Sequence, residues 1–200
     1  MSDTNNELLK ISGLKTVIKV RNGELVPVDG VDICVPPHST VGIVGESGCG
    51  KSMTAMSIMG LLPKNVKIVS GSIKLNGTEL TGLSQKEMRK ITGDRMSIIF
   101  QEPMTSLNPV LTVGKQVREA IILHRDVSKE EAKKMVIEMF KSVGIPEAER
   151  RYHSYPHELS GGLRQRVMIA MAMVCEPELL IADEPTTALD VTVEAQILHL

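Results

Sequence analysis

The chain has 200 residues, 42% of them hydrophobic, and a formal net charge of −1. That size and apolar content support one domain, or one domain with an inserted subdomain, around a sizeable core. The near-neutral balance argues against a nucleic-acid-binding surface as the main business, and no apolar run approaches the ~20 residues of a membrane span. The polar start, Ser2-Asp3-Thr4-Asn5-Asn6-Glu7, carries no signal-peptide pattern. Cys34, Cys49 and Cys175 are odd in number and lack metal spacing, so they read as free thiols of a reducing compartment. The expected setting is the cytosol, or a membrane reached through a partner. The 12 methionines read as core filler at helical spacing.

Residues 8–11 are a short strand candidate. Residues 15–20 and 25–28 flank Arg21-Asn22-Gly23-Glu24, where Asn-Gly predicts a hairpin turn. Val31, Ile33 and Val35 alternate with Asp32 and Cys34, a half-buried strand ended by Pro36-Pro37. Residues 40–44 are short, apolar and β-branched, and predict a buried strand. Next comes Gly45-Glu46-Ser47-Gly48-Cys49-Gly50-Lys51-Ser52. Met53, Met56, Ile58, Met59 and Leu62 then predict a helix that stops at Pro63. Strand, glycine loop and helix are the context of a P-loop, and the octet fits G-x-x-x-x-G-K-S without a miss.

The chemistry of a P-loop requires these residue types. Glycines let the backbone wrap a polyphosphate and aim N–H groups inward. The helix N-terminus adds partial positive charge. Lys51 can reach the β- and γ-phosphates, and the Ser52 hydroxyl can ligate Mg²⁺. The competing reading is a chance glycine turn before a helix.

Further along, residues 73–75 form a short strand bounded by Asn76-Gly77, and 83–91 a short helix whose Lys86, Arg89 and Lys90 make a solvated face. Residues 96–100 predict a second buried strand. The segment Gln101-Glu102-Pro103-Met104-Thr105-Ser106-Leu107-Asn108-Pro109 predicts an irregular loop. One helix spans 113–123. Another opens at Ser128 with Glu131 three residues on, a capping box, and stops at Gly144.

Tyr155-Pro156-His157-Glu158 leads into Leu159-Ser160-Gly161-Gly162-Leu163-Arg164-Gln165-Arg166 and a helix closed by Pro177. Ser160 and its two glycines read either as a second anion-binding helix start or as a plain N-cap with a flexible turn. Residues 179–182 predict a third buried strand, with Asp183 and Glu184 at its C-terminal end, where open α/β sheets bind ligands. Asp183 suits Mg²⁺ held through water, and Glu184 suits a general base. Alone, Asp-Glu-Pro would be an ordinary turn; downstream of a P-loop the functional reading is preferred.

Together these motifs resemble the nucleotide-binding subunit of an ABC transporter. Residues 45–52 resemble Walker A, Gln101 the Q-loop, Leu159-Ser160-Gly161-Gly162 the signature, 179–184 Walker B with its catalytic glutamate, and Ala188-Leu189-Asp190 the D-loop. The 100–109 string, Gly45-Glu46-Ser47-Gly48, Tyr155-Pro156-His157-Glu158-Leu159-Ser160 and the run 164–170 resemble the oligopeptide/dipeptide/nickel branch of bacterial importers. The resemblance implies an α/β fold: a RecA-like P-loop NTPase core, an N-terminal antiparallel β-subdomain and an inserted α-helical subdomain. Core and β-subdomain would occupy 1–103, the helical subdomain 104–158, and the signature helix, Walker B and D-loop 159–200. It implies ATP and Mg²⁺ as cofactors, with Ser52, Gln101 and Asp183 around the metal and Glu184 and Gln101 in catalysis.

It further implies a head-to-tail dimer with a second ABC ATP-binding subunit. Ser160, Gly161 and Gly162 of one would face the nucleotide held by Lys51 of the other, and Asp190 would couple the two sites. The other implied partners are permease subunits and, indirectly, a periplasmic or lipoprotein solute-binding protein, with no nucleic acid. The implied location is the cytoplasmic face of the inner membrane, bound peripherally. Two alternatives stand beside the importer subunit: a nucleotide-binding fragment or degenerate partner without turnover, and a soluble non-transport ABC ATPase.

The sequence departs from the family in three places. No aromatic precedes Phe100 to stack on adenine, so Val17 or Ile18 offers an apolar surface instead, and the loss of about 1 kcal/mol predicts weak adenine discrimination. Leu163 stands where many signatures have Gln, as is common in this branch. The chain ends at Leu200, before the strand that carries the family's switch histidine and lies between the Walker A and Walker B strands. The expectation is therefore a fragment of a longer subunit, with a gap in the sheet and unpaired backbone groups. Cys49, beside Lys51 at a helix start, reads as an alkylation site protected by MgATP or simply as a small residue in a tight loop.

Overall fold

The computed structural model describes residues 7–100 and 106–184. They form two compact units divided between Thr92 and Gly93.

The first unit is built on a four-stranded sheet. Its strands are β1 (Leu9–Val20), β2 (Gly23–Val35), β3 (Val66–Leu75) and β4 (Thr78–Glu79), in the order β2-β1-β3-β4 with every pair antiparallel. Lys19 pairs with Glu24 and Val20 with Gly23, so the predicted hairpin closes on Arg21-Asn22. The segments 8–11 and 15–20, expected as separate strands, are one bent strand. Gly13 lies at φ +56 in the bend, where the register slips, and Asp32 Oδ1 accepts its N–H at 2.8 Å. A bulge that satisfies its spare donor in this way turns the strand without ending it.

Leu9, Ile11 and Leu14 of β1 and Ile73 and Leu75 of β3 supply buried apolar side chains, as do the two helices of this unit, α1 (Lys51–Met59) and α2 (Gln85–Ile91). The α1 helix ends before Pro63. Gly60 takes φ +66, and its N–H reaches Ser57 O while that of Leu61 reaches Met56 O. This left-handed glycine cap satisfies terminal carbonyls and stops the helix three residues early. The β3–β4 turn uses Asn76 and Gly77, both left-handed. Beside it the Glu79 carboxylate accepts from the Ser72 and Thr81 hydroxyls, the Ile73 N–H at 3.1 Å and the Thr81 N–H at 3.2 Å.

Residues 40–44 correct an expectation. They form no strand, and Val41, Ile43 and Val44 are 44%, 51% and 93% exposed. A strand exists only through ladder bonds to a neighbour, and among the described residues none pairs with this segment.

The second unit joins a parallel pair, β5 (Met96–Ile99) and β6 (Leu179–Ala182), to a helical layer. That layer contains α3 (Val113–His124), α4 (Lys129–Ser142), α5 (Ala148–Arg151), a 3₁₀ turn (Pro156–Glu158) and α6 (Gly161–Met173). Val117 and Ile121 of α3, Val136 and Phe140 of α4, and Val167 and Ile169 of α6 share one core with Ile99 of β5. The capping box at Ser128 and Glu131 is present as predicted. Buried Gln116 pins the loop before α3, accepting from Asn108 N–H and donating to the Asn108 and Leu111 carbonyls. Strand β6 is less buried than expected: Leu179 is inside, but Leu180 is 40% exposed and Ala182 is exposed. Its one ladder neighbour among the described residues is β5. No helix of the described residues is long and apolar enough to cross a membrane.

Candidate functional site

The P-loop follows β2 and opens α1. Glu46 and Cys49 close a turn, with Cys49 N–H donating to Glu46 O at 3.3 Å. Gly48 takes φ +83 and Gly50 φ +96, the left-handed backbone that favours glycine. Two glycines are also closely approached, Gly45 by a side chain and Gly50 by backbone. A Cβ on Gly45 would lie 2.6 Å from Cys49 Sγ, and one on Gly50 would lie 2.3 Å from Pro27 O. The β1–β2 hairpin therefore packs directly under the helix start. The Thr54 N–H and hydroxyl both donate to Gly50 O, at 2.9 and 3.0 Å, and lock the first turn.

Lys51 is folded back over this loop. Its ammonium donates to Gly45 O at 2.7 Å and Glu46 O at 2.9 Å, and stands 3.9 Å from Cys49 Sγ. Ser52 is half-buried in the same turn, and Glu46, Ser47 and Cys49 are exposed. The N-cap of α1 has no side-chain cap, and its first turn carries no acid. Uncapped N–H donors, the helix dipole and a lysine held at the loop suit a polyphosphate.

The second unit carries the other motifs. Ser160 caps α6, its Oγ accepting from Leu163 N–H at 3.4 Å. Ser160 and Gly161 are exposed, Gly162 is half-buried, and a Cβ on Gly161 would meet open space. Asp183 and Glu184 follow β6 as predicted. Asp183 N–H donates to Ile99 O at 3.0 Å, extending the β5–β6 ladder to the carboxylate pair. Asp183 is half-buried and Glu184 exposed, and Glu184 takes φ +50. A bulky residue in left-handed backbone stores strain of the kind that accumulates at functional strand ends. Gln101 and Asp190 lie outside the described residues.

Ser52 and Asp183 supply hard oxygen donors of the type Mg²⁺ prefers. Among the described residues, no group of three His, Cys, Asp or Glu side chains could hold a metal alone. Of the two expected adenine surfaces, Val17 is 7% exposed and Ile18 is half-buried, which leaves Ile18 with its cross-strand partner Leu25. The Pro27 carbonyl under Gly50 was not legible in the sequence, because a backbone contact has no side-chain signature.

The family profile described as ABC transporter matches residues 28–187, from β2 through the P-loop, the α6 cap and the carboxylate pair. The chain belongs to the ABC transporter family. It is 54% identical over 199 residues to a peptide import ATP-binding protein of Brucella ovis, and 52% identical over 194 residues to the oligopeptide transport ATP-binding protein AppD of Bacillus subtilis. Each match covers 96% of this chain, which spans 59% of the length of these curated relatives. An ABC cassette solved as a dimer in a post-hydrolysis state, with ADP and phosphate bound, matches with a TM-score of 0.86 and 29% identity, over 96% of this chain and 80% of that one. The α/β P-loop fold read from the motifs is the fold of this family.

Proposed function

We propose that this chain is the ATP-binding and ATP-hydrolysing part of an energy-coupling subunit of a bacterial ABC importer for peptides or related solutes. The observation that carries the reading is the Lys51 ammonium held on Gly45 O and Glu46 O at an uncapped helix start. On nucleotide binding, Lys51 exchanges these carbonyls for β- and γ-phosphate oxygens, while loop N–H groups hold the rest of the triphosphate. Ser52, Asp183 and Gln101 would hold Mg²⁺, which when bound offsets the phosphate charge. Glu184 accepts the proton of the attacking water as its oxygen bonds to the γ-phosphorus and the bond to the β-phosphate oxygen breaks.

Ser160, Gly161 and Gly162 of a second copy or a related subunit close over the triphosphate, and Asp190 couples the two sites. Closure drives permease subunits at the cytoplasmic face of the inner membrane, and the solute arrives on a separate binding protein. The identity to proteins named for peptide import supports peptides as the solute class.

Residues 40–44, which pair with no strand among the described residues, favour a second reading: a nucleotide-binding module without turnover. One comparison separates the two. The importer reading expects steady ATP hydrolysis by the parent, and for Glu184→Gln almost none, with ATP-bound dimers accumulating on gel filtration. Equal rates for parent and Glu184→Gln would overturn Glu184 as the base. ATP binding without hydrolysis in the parent would favour the second reading.

A further inference from the structure

Tyr155 and His157 form a stacked ring pair, with centroids 5.6 Å apart and planes 16° from parallel. Both are exposed, Tyr155 at 39%. The other Phe and Tyr rings are placed differently: Phe140 and Tyr152 are buried and Phe100 is half-buried. The pair serves no core, yet the backbone that carries it is tied down. Tyr155 N–H donates to Glu158 Oε2 at 2.7 Å, and Glu158 N–H returns to Tyr155 O at 3.0 Å. The Pro156 carbonyl accepts from Leu159 N–H at 3.2 Å and from Arg164 Nε at 2.7 Å. Arg164 N–H in turn donates to Ser160 O at 3.0 Å. The 3₁₀ turn and the Ser160 cap are thus tied into one corner, and the stacked rings stand on its backbone. Five residues of chain place Tyr155 within about 17 Å of Ser160 at most, the length scale of a nucleoside triphosphate.

The P-loop unit has no Phe, Tyr or Trp ring to offer; its one imidazole is that of exposed His38. No aromatic precedes Phe100, and its hairpin presents the aliphatic pair Ile18 and Leu25. A purine has a π face, and stacking on an aromatic side chain is the sequence-tolerant way to hold it. We propose that Tyr155 and His157 form the base-stacking platform for a purine nucleotide whose phosphates lie in the P-loop of a second copy of the chain. This rests on the reading above, in which Ser160 of one copy faces the triphosphate held by Lys51 of the other.

The test mixes isotope-labelled chain carrying Lys51→Ala with the parent, and irradiates the mixture with ATP bearing a photoreactive azide on its purine ring. The expected adduct lies on the 155–157 peptide of the Lys51→Ala chain, and only when the parent is present. Adding Tyr155→Ala to the Lys51→Ala chain removes the adduct and weakens ATP binding by the mixed dimer about tenfold, by the usual worth of a base–aromatic stack. Tyr155→Phe keeps both, and binding of inorganic triphosphate does not change. A mixed dimer labelled only on the parent's own residues 9–28 overturns the platform and leaves the importer reading standing. Labelling of 155–157 without the parent also overturns it. Failure to form any ATP-dependent mixed dimer overturns the head-to-tail reading, and the platform with it.

Discussion

Replacing Glu79 by Gln should destabilise the first unit in a pH-dependent way. Partial burial alone would raise this carboxyl, but the Ser72 and Thr81 hydroxyls and the Ile73 and Thr81 N–H groups all donate to it, and they bring it from 4.5 down to about 2. That difference corresponds to at most about 3 kcal/mol of charge-dependent stabilisation. Solvent at this half-buried hairpin lowers the expectation to about 1–2 kcal/mol. The folded-state value lies below the unfolded one, so the contribution is fully present above pH 4.5 and is lost as pH falls toward 2. Gln would also turn an amide N–H toward a site that already holds four donors. The assay is urea unfolding of parent and Glu79→Gln by circular dichroism between pH 7 and pH 3.5, with hydrogen exchange at the Ile73 amide to localise the effect. A midpoint loss of about 0.5–1 M urea at pH 7, shrinking below pH 4.5, is expected. Equal midpoints at pH 7, or a gap that does not move with pH, would refute the reasoning.

Other outcomes follow from the same geometry. MgATP at a hundred times its dissociation constant should stabilise the parent by about 2.7 kcal/mol, and a thermal melt of Lys51→Ala should show no such shift. N-ethylmaleimide should modify Cys49 fastest and be slowed there by MgATP. Cys34, its thiol held up by desolvation and by the Glu7 carboxylate, should react more slowly, and Cys175, pushed up by burial, slowest. Equal Cys49 labelling with and without nucleotide would remove that site from the loop's chemistry. Phe140→Ala should cost about 3–5 kcal/mol by opening a cavity in the helical core, read as a lowered denaturation midpoint.

Features written in side chains were legible. The glycine–lysine octet, the Ser128–Glu131 box, the Ser160 cap and the carboxylates ending β6 stand where their residue types place them. The Ser84–Glu87 box carries the same sequence signal as Ser128–Glu131 and opens the helix expected over 83–91. Features that depend on a neighbour were harder to read. Residues 40–44 have a strand's composition, but composition cannot supply a ladder partner. The continuity of β1 through Gly13 depends on Asp32, 19 residues away, and the four donors around Glu79 meet only once β3 and β4 have turned. The early stop of α1 was present in Gly60, but Pro63 is the stronger breaker by propensity and drew the boundary past it.

The contact between Pro27 and Gly50 bears on how such cassettes can be recombined. A carbonyl from the N-terminal hairpin fills the space where any residue but glycine would place its first side-chain carbon. Hairpin and phosphate loop are therefore cut to one another across more than twenty residues of chain. A chimera that grafts another cassette's first two strands onto this loop inherits a matched floor only if its backbone passes through the same point. Otherwise the loop shifts and Lys51 loses its alignment, even though every motif residue is intact.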